Sequence, residues 1–179
     1  MRADGIRILR GAVAGAAAAA VWAGQQPLDK RLLGSGYDDV ELLGKGVTSG
    51  PAWYPIGLAL HLANGALFGA TYAAIVPSLP IPRPAAGPIA GLTEHLALWP
   101  LGRVTDRVHP AREELTPLTG NPRAFAQATW RHLLFGVVLG ELERRLNREP
   151  EEPVSFEEIV SSNGHGTIEH AAAAARPAH

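Results

Sequence analysis

The sequence contains no cysteine, which excludes a disulfide framework and a zinc-thiolate site. Its formal net charge of −1 provides no basic surface of the kind that binds nucleic acid. No glycine-rich phosphate loop with a following Lys and Ser or Thr is present, and no serine lies in a nucleophile-elbow pattern. We therefore expect a protein that is not an enzyme, that uses no cofactor, and that has no nucleic-acid partner.

Charged residues are also missing from one long internal stretch, residues 46–82. The centre of this stretch, residues 53–79, is predominantly apolar, and about 20 helical residues cross a bilayer. The pattern therefore predicts a transmembrane helix. Three further apolar segments, residues 8–27, 85–101 and 124–146, predict a protein of four spans with the lipid bilayer as its main partner.

Each of the four segments contains a Gly-x-x-x-Gly motif. Small residues four positions apart lie on one face of a helix and let two helices approach closely in lipid. We therefore expect these glycines to form the packing faces of the helices, and a homo-oligomer to form through the same faces. The glycines are Gly11, Gly15, Gly65, Gly69, Gly87, Gly91, Gly136 and Gly140.

Longer patterns around these glycines also repeat. The sequence His61-Leu-x-x-Gly in the second segment recurs as His132-Leu-x-x-Gly in the fourth, and the Gly-x-x-Ala-Gly of the first segment recurs in the third. Each half of the chain therefore carries two spans, and the two halves share one orientation. The predicted fold class is all-α, an integral membrane four-helix bundle built from two repeated helical hairpins.

Polar side chains interrupt three of the apolar segments. Because a helix rises 1.5 Å per residue, the imidazoles of the second, third and fourth segments come to about the same depth in the bilayer. The spacing predicts a polar layer inside the membrane. Its members are His61, Asn64, Glu94, His95, Arg131 and His132.

Three interpretations of this polar layer remain open. In a structural layer, Glu94 and Arg131 form a buried ion pair, while the histidines and Asn64 hydrogen-bond one helix to another. In a conducting layer, the ionisable groups relay protons or a cation, since such groups often mark ion paths and imidazole titrates in the physiological range. A zinc site would need imidazoles and a carboxylate in tetrahedral geometry. The histidines come from separate helices without a His-x-x-x-His pair, so we assign no metal ligand.

The segments outside the predicted spans carry most of the charge. Residues 25–50 are expected to be a polar connection and residues 103–123 a second charged loop. The acids of the first connection, which are expected to be solvated, are Asp38, Asp39 and Glu41. After the membrane domain, residues 1–148, we expect a polar and largely disordered tail over residues 149–179. A capping-box pattern at Ser155 predicts one short helix in that tail.

Lysine and arginine are equally frequent on the two predicted sides of the membrane. We expect cytoplasmic termini, because the bases near the termini flank the spans directly while the long loops mix bases with acids. The basic start followed by an apolar segment also fits a cleaved signal peptide, which would make the protein a secreted one. We favour retention in the membrane, because the Gly-x-x-x-Gly of this segment recurs in segments that cannot be signals.

Several motifs together carry a family resemblance. Besides the Gly-x-x-Ala-Gly starts of the first and third segments, they are His61…Phe68…Tyr72, Trp99-Pro100, and His132-Leu133 followed by an acid and Arg144-Arg145. Over about residues 8–148, this pattern resembles the YagU-like small inner-membrane proteins of bacteria. The resemblance implies a multi-span inner-membrane protein without an established reaction, and a loose association with acid tolerance.

These observations predict a small integral membrane protein of structural or accessory role, acting with a protein partner that the sequence does not identify. The alternative is a proton- or ion-handling channel or transporter that uses the polar layer and is linked to acid stress. The two differ in a measurable way, because only the second requires ion flux through the layer.

Overall fold

The structure, a computed structural model, describes the backbone of residues 2–148 and the side chains of residues 5–148. All regular structure in this range is helical, so the expected all-α class is confirmed there. The expected tail, residues 149–179, and its capping-box pattern at Ser155 lie outside the described residues.

Six α-helices make up the described part of the chain. They are α1 (Arg2–Leu33), α2 (Asp39–Val47), α3 (Trp53–Ile75), α4 (Arg83–Leu98), α5 (Gly102–Val108) and α6 (Pro122–Leu146). Short 3-10 turns, Val76–Ser78 and Trp99–Leu101, continue α3 and α4. Two helical stretches, Gly5–Leu33 and Trp53–Ser78, are long and apolar enough to cross a membrane.

Helix α1 is longer than the expected first segment, residues 8–27. It continues through Pro27, because the residues that follow are good helix formers, and it ends where Gly34 adopts a φ of 59°. The expectation of a polar connection over residues 25–50 was therefore wrong. That range contains the last turns of α1 and the whole of α2.

Helix α2 is stabilised by a capping residue and by charges at its ends, and it packs against the backbone of α3. The Asp38 carboxylate accepts a hydrogen bond from the Glu41 amide at 3.0 Å and caps the helix. Acidic residues in the first turn and Lys45 in the last turn complement the helix dipole. A Cβ on Gly44 would overlap the carbonyl oxygen of Trp53, so α2 packs directly against the backbone of α3.

The four long helices pack in the order α3, α1, α6, α4. A Cβ on Gly15 would overlap the carbonyl oxygen of Gly65, which shows how closely α1 approaches α3. Gly87 has the same relation to Gly136, between α4 and α6. Helices α3 and α4 are not closely packed with each other, so a cleft remains between them.

The segment that follows α5 contacts α2 at one end of this assembly. The His109 ring, just after α5, lies 3.0 Å from the carbonyl oxygen of Leu42 in α2. Asp106 of α5 accepts hydrogen bonds from the amides of Leu118 at 3.0 Å and Thr119 at 2.7 Å. Partial burial raises the pKa of Asp106, but the hydrogen bonds from Thr119 and Leu118 outweigh it and hold the pKa below its ordinary value.

The polarity of the described helices is inverted relative to a water-soluble protein. Five of the six largest fully buried side chains are polar or charged. The five are Arg131, His95, Gln127, Glu143 and Asp29, and the sixth is Leu139. Large apolar side chains lie on the outside, among them Leu9 at 65%, Leu67 at 68% and Leu96 at 60% exposure. An outer surface of this kind suits an apolar solvent.

Candidate functional site

Arg131 is the centre of a buried ion cluster that joins α1, α2 and α6. Its side chain is fully buried. Nε and Nη2 donate to the two carboxylate oxygens of Asp29 at 2.6 and 2.7 Å, and Nη1 donates to Asp39 at 2.7 Å. Nη2 also donates to the Tyr37 carbonyl at 3.1 Å. The planar guanidinium is suited to such forked pairing, so one side chain ties three parts of the chain together.

Two glutamines complete the surroundings of Asp29. Gln25 donates to one carboxylate oxygen at 2.6 Å, and the fully buried Gln127 donates to the other at 2.7 Å. Each Asp29 oxygen therefore accepts from both a guanidinium and an amide. The Oε1 atom of Gln127 has no hydrogen-bond partner among the described residues.

Asp39 is bound by two aromatic donors as well as by Arg131. The Trp22 indole donates to Asp39 at 3.0 Å, and the Tyr37 hydroxyl donates to its other oxygen. Burial of the phenol and the nearby Asp39 carboxylate raise the pKa of Tyr37 well above its ordinary value. The hydroxyl therefore stays protonated and keeps its role as a donor.

This cluster corrects two expectations. The predicted Glu94–Arg131 ion pair was wrong, because Arg131 pairs with Asp29 and Asp39 instead. The acids of the first connection were expected to be solvated, yet Asp39 binds Arg131 and Asp38 caps α2. The physical reason is that α1 continues past its proline and carries Asp29 to the face of α6.

A second buried ion cluster lies near the other end of α1 and α6. The Glu143 side chain is 2% exposed and accepts a hydrogen bond from Arg7 and one from Asn147 at 3.1 Å. Arg83 of α4 approaches the same carboxylate at 3.9 Å. Arg7 also donates to the carbonyl of Ala73 at 2.9 Å, which adds α3 to the cluster.

Hydrogen bonds fix which nitrogen of each imidazole faces away from the backbone. Nε2 of His61 lies 3.2 Å from the carbonyl oxygen of Ala19, and Nδ1 of His132 lies 2.7 Å from that of Ala128. A carbonyl oxygen only accepts, so these nitrogens carry the hydrogen. In the neutral rings, Nδ1 of His61 and Nε2 of His132 are then acceptors.

The third imidazole is oriented by a hydroxyl group. Nε2 of His95 lies 2.9 Å from the Thr129 hydroxyl oxygen, and that hydroxyl donates to the Phe125 carbonyl at 2.8 Å. Because the single hydroxyl hydrogen is already used, the oxygen accepts from Nε2–H of His95. Nδ1 of His95 is therefore the third free acceptor.

The three imidazoles line one cavity of about 310 Å³ between the long helices. Ring centroids lie 4.9 Å apart for His95 and His132, and Trp22 lies 5.3 Å from His61 and 4.7 Å from His132. Side chains of α2 and of α5 with its neighbouring segments border the cavity at the end described above. Of the predicted polar layer, the residues that line this cavity are His61, Asn64, Glu94, His95 and His132; Arg131 lies outside the lining.

Glu94 is an acidic residue at the place where the cavity meets a second space. It is half-buried, and the described residues provide it with no hydrogen bond or ion pair. Together with Phe68 and Leu98, it also lines a second cavity, a groove of about 570 Å³ between α3 and α4. Most of that groove is apolar, with side chains such as Ile75 and Ile89. The polar cavity and the apolar groove therefore meet at Glu94.

Metal binding has little geometric support in the described part of the chain. No group of three or more His, Cys, Asp or Glu within residues 2–148 is arranged to hold a metal ion. The imidazoles instead use one nitrogen each for hydrogen bonds inside the protein.

Several residues around the site were not expected from the sequence. The main ones are Trp22, Gln25, Asp29, Tyr37 and Gln127. Part of this set could have been found from the sequence, because Trp22, Gln25 and Asp29 have the spacing of residues on one face of a helix. This spacing is visible only when α1 is extended through Pro27.

Comparison of the chain with protein-family models, with curated proteins and with solved structures found no match. The features of the molecule that bear on its function are therefore the two ion clusters, the cavity and the groove.

Proposed function

We propose that this chain is a multi-span integral membrane protein of structural or accessory role rather than an enzyme. The single observation that carries the proposal is the inverted polarity: Arg131 and Glu143 are buried, while residues such as Leu67 and Leu96 are exposed. Charges in a membrane protein face the interior and pair with one another. An apolar exterior costs little in lipid and much in water.

The proposed architecture is a four-helix bundle of two repeated hairpins, α1 with α3 and α4 with α6. Its support is the close approach of glycines within each pair: Gly11 lies against Gly69, and Gly87 against Gly136. Such approach gives van der Waals contact and is a common basis of helix association in lipid. The resemblance to YagU-like proteins supports the same arrangement in a bacterial inner membrane with cytoplasmic termini.

A structural or accessory role is favoured by the ion clusters, which join α1 to α6 near both ends. Each buried charge there has a partner of opposite sign, which limits the cost of burying it. A protein built in this way offers a stable platform in the membrane for a lipid or a protein partner, or for a second copy through its glycine faces.

The absence of cysteine makes the membrane placement directly testable. Single cysteines would replace Leu67, Leu96 and Val137, which are exposed on α3, α4 and α6, and Glu113 in the loop after α5. In intact membranes, a water-soluble maleimide should label only the Glu113→Cys variant. The other three should react after the membrane is dissolved in SDS. Equal labelling of all four in intact membranes would refute the proposal.

Proton handling is the second candidate, and the meeting of three imidazoles and Glu94 in one cavity favours it. Proton flux into liposomes should be compared between the wild type and a His61→Ala/His132→Ala variant, with a thermal melt of each as the folding control. A wild-type leak that disappears in a folded variant would establish conduction. The structural role predicts no leak and a lower melting temperature in the variant.

A further inference from the structure

The ionisable side chains that line the cavity are acids and imidazoles, while the Asn64 amide and the Trp99 indole add neutral hydrogen-bond donors. His61, His95 and His132 each offer one free acceptor nitrogen, as their hydrogen bonds require, and Glu94 offers a carboxylate. The lining contains no lysine or arginine. A ligand that complements these groups must supply hydrogen-bond donors and positive charge.

Glu94 is the unpaired carboxylate available to such a ligand. The other carboxylate of the lining, Asp39, is already bound to Arg131, whereas Glu94 has no partner among the described residues. Aromatic rings such as Trp22 and Trp99 also border the cavity and can stabilise a cation through their faces. The cavity therefore favours a cation, because its lining has an unpaired carboxylate and no lysine or arginine.

The adjoining groove indicates the shape of the ligand. Phe68, Glu94 and Leu98 line both spaces, so a molecule with its polar end at Glu94 can continue directly into the groove. The groove lies between α3 and α4, where the long helices are not closely packed. Its side chains are mostly apolar, which suits a hydrocarbon chain.

We propose that the cavity and the groove together bind an amphiphilic amine. Its ammonium group donates hydrogen bonds to Glu94 and to the free imidazole nitrogens, and its hydrocarbon chain lies between α3 and α4. The inference goes beyond the structural role, because a purely structural bundle needs no ligand in this space. It also differs from proton conduction, since the site holds its cation and no flux is required.

The test uses the full chain in lipid nanodiscs and dodecylamine as the probe, with binding measured by calorimetry and empty nanodiscs subtracted. We expect saturable binding of one dodecylamine per chain. Dodecanoic acid, which carries the opposite charge on a similar chain, should show no saturable binding. Equal binding of the two compounds would overturn the proposal, because it would show partition into the groove without recognition of the amine.

Two variants locate the ligand. Glu94→Gln should weaken dodecylamine binding at least tenfold, while the matched control Glu113→Gln, on an exposed loop carboxylate, should leave it unchanged. Ala97→Phe places a ring in the groove from an exposed position on α4 and should also weaken dodecylamine binding. Because Ala97 is exposed, this variant tests the proposal even if Glu94→Gln fails to fold.

The outcomes separate this inference from the proposed membrane function. Unchanged dodecylamine binding in either folded variant would refute the site, although the cysteine labelling could still support a membrane bundle. If labelling fails but the variants weaken binding as expected, the amine site stands and the membrane placement falls.

Discussion

Replacing Arg131 by leucine removes the centre of the ion cluster between α1, α2 and α6. The substitution deletes three hydrogen bonds to carboxylates, two to Asp29 and one to Asp39. Leucine favours the helical conformation about as well as arginine does, so α6 itself should be preserved. The Asp29 side chain, 3% exposed, is left with only its two glutamine donors.

The expected loss of stability follows from that geometry. Removing one partner of a buried ion pair costs about 3–5 kcal/mol, because the remaining charge stays buried without compensation. Arg131→Leu strands Asp29 in this way, so we expect a loss in the upper part of that range. A smaller loss is expected for Asp29→Asn, because Arg131 then keeps its bond to Asp39 at 2.7 Å.

The assay is the free energy of unfolding in mixed micelles, followed by circular dichroism as SDS is added. Arg144→Leu is the matched control, since Arg144 lies on the same helix and pairs with Glu141 at the surface, with 48% of its side chain exposed. That control should change stability very little, because exposed ion pairs contribute little. A triple variant that also carries Asp29→Asn and Asp39→Asn should recover part of the loss.

Equal effects of the two arginine substitutions would refute the reasoning, since burial would then make no difference to the value of the pair. A triple variant less stable than Arg131→Leu alone would refute it in a second way. That result would mean that the cost comes from lost packing around the guanidinium rather than from stranded charge.

Three further changes test other parts of the fold. Gly15→Ala should lower the free energy of unfolding by about 1–3 kcal/mol, because the new Cβ would overlap the Gly65 backbone and overpacking has that cost. The control is Gly24→Ala, whose Cβ would have no atom within 4 Å, and it should not destabilise the protein. Equal effects would contradict close packing of α1 on α3. Glu143→Gln should destabilise the bundle by about 1–3 kcal/mol, because it replaces the charged acceptor of the partly exposed Arg7 by a neutral one, and a neutral result in the same SDS titration would contradict a contribution of the second cluster to stability. Because the folded pKa of Asp106 is lowered, its contribution is present above its ordinary pKa and is lost as the pH falls through the folded pKa. The melting temperature should therefore drop in acid more in the wild type than in Asp106→Asn, and parallel pH profiles would contradict the loop contacts.

The sequence predicts the helical class and the placement of the helices' apolar centres, because hydrophobic length and period are local properties. It also places the three imidazoles at similar depth, since that argument needs only the rise of a helix. The structure brings His61, His95 and His132 to one cavity. The hydrogen-bonding nitrogens of His61 and His95 could not be predicted, because they are set by Ala19 and Thr129 on other helices.

The partners of Arg131 show where prediction from sequence failed. Pro27 was interpreted as the end of the first segment, although a proline inside a helix can kink the helix without ending it. The consequence was that Asp29 was assigned to a loop and Glu94 became the expected partner. The true contact joins residues about a hundred positions apart, and no local pattern specifies such a pairing.

The two ion clusters explain why the cleft lies between α3 and α4. Asp29 with Arg131 and Arg7 with Glu143 join the same two helices, α1 and α6, near opposite ends. Each of these helices also packs closely, through glycine, on one further helix. With α1 and α6 fixed to each other, α3 and α4 are held on the two sides of the assembly, and nothing of comparable strength draws them together in the described residues. The opening beside Glu94 is therefore a consequence of where the charged pairs lie. The amphiphilic amine proposed above would fill this opening, with its charge at Glu94 and its chain between α3 and α4.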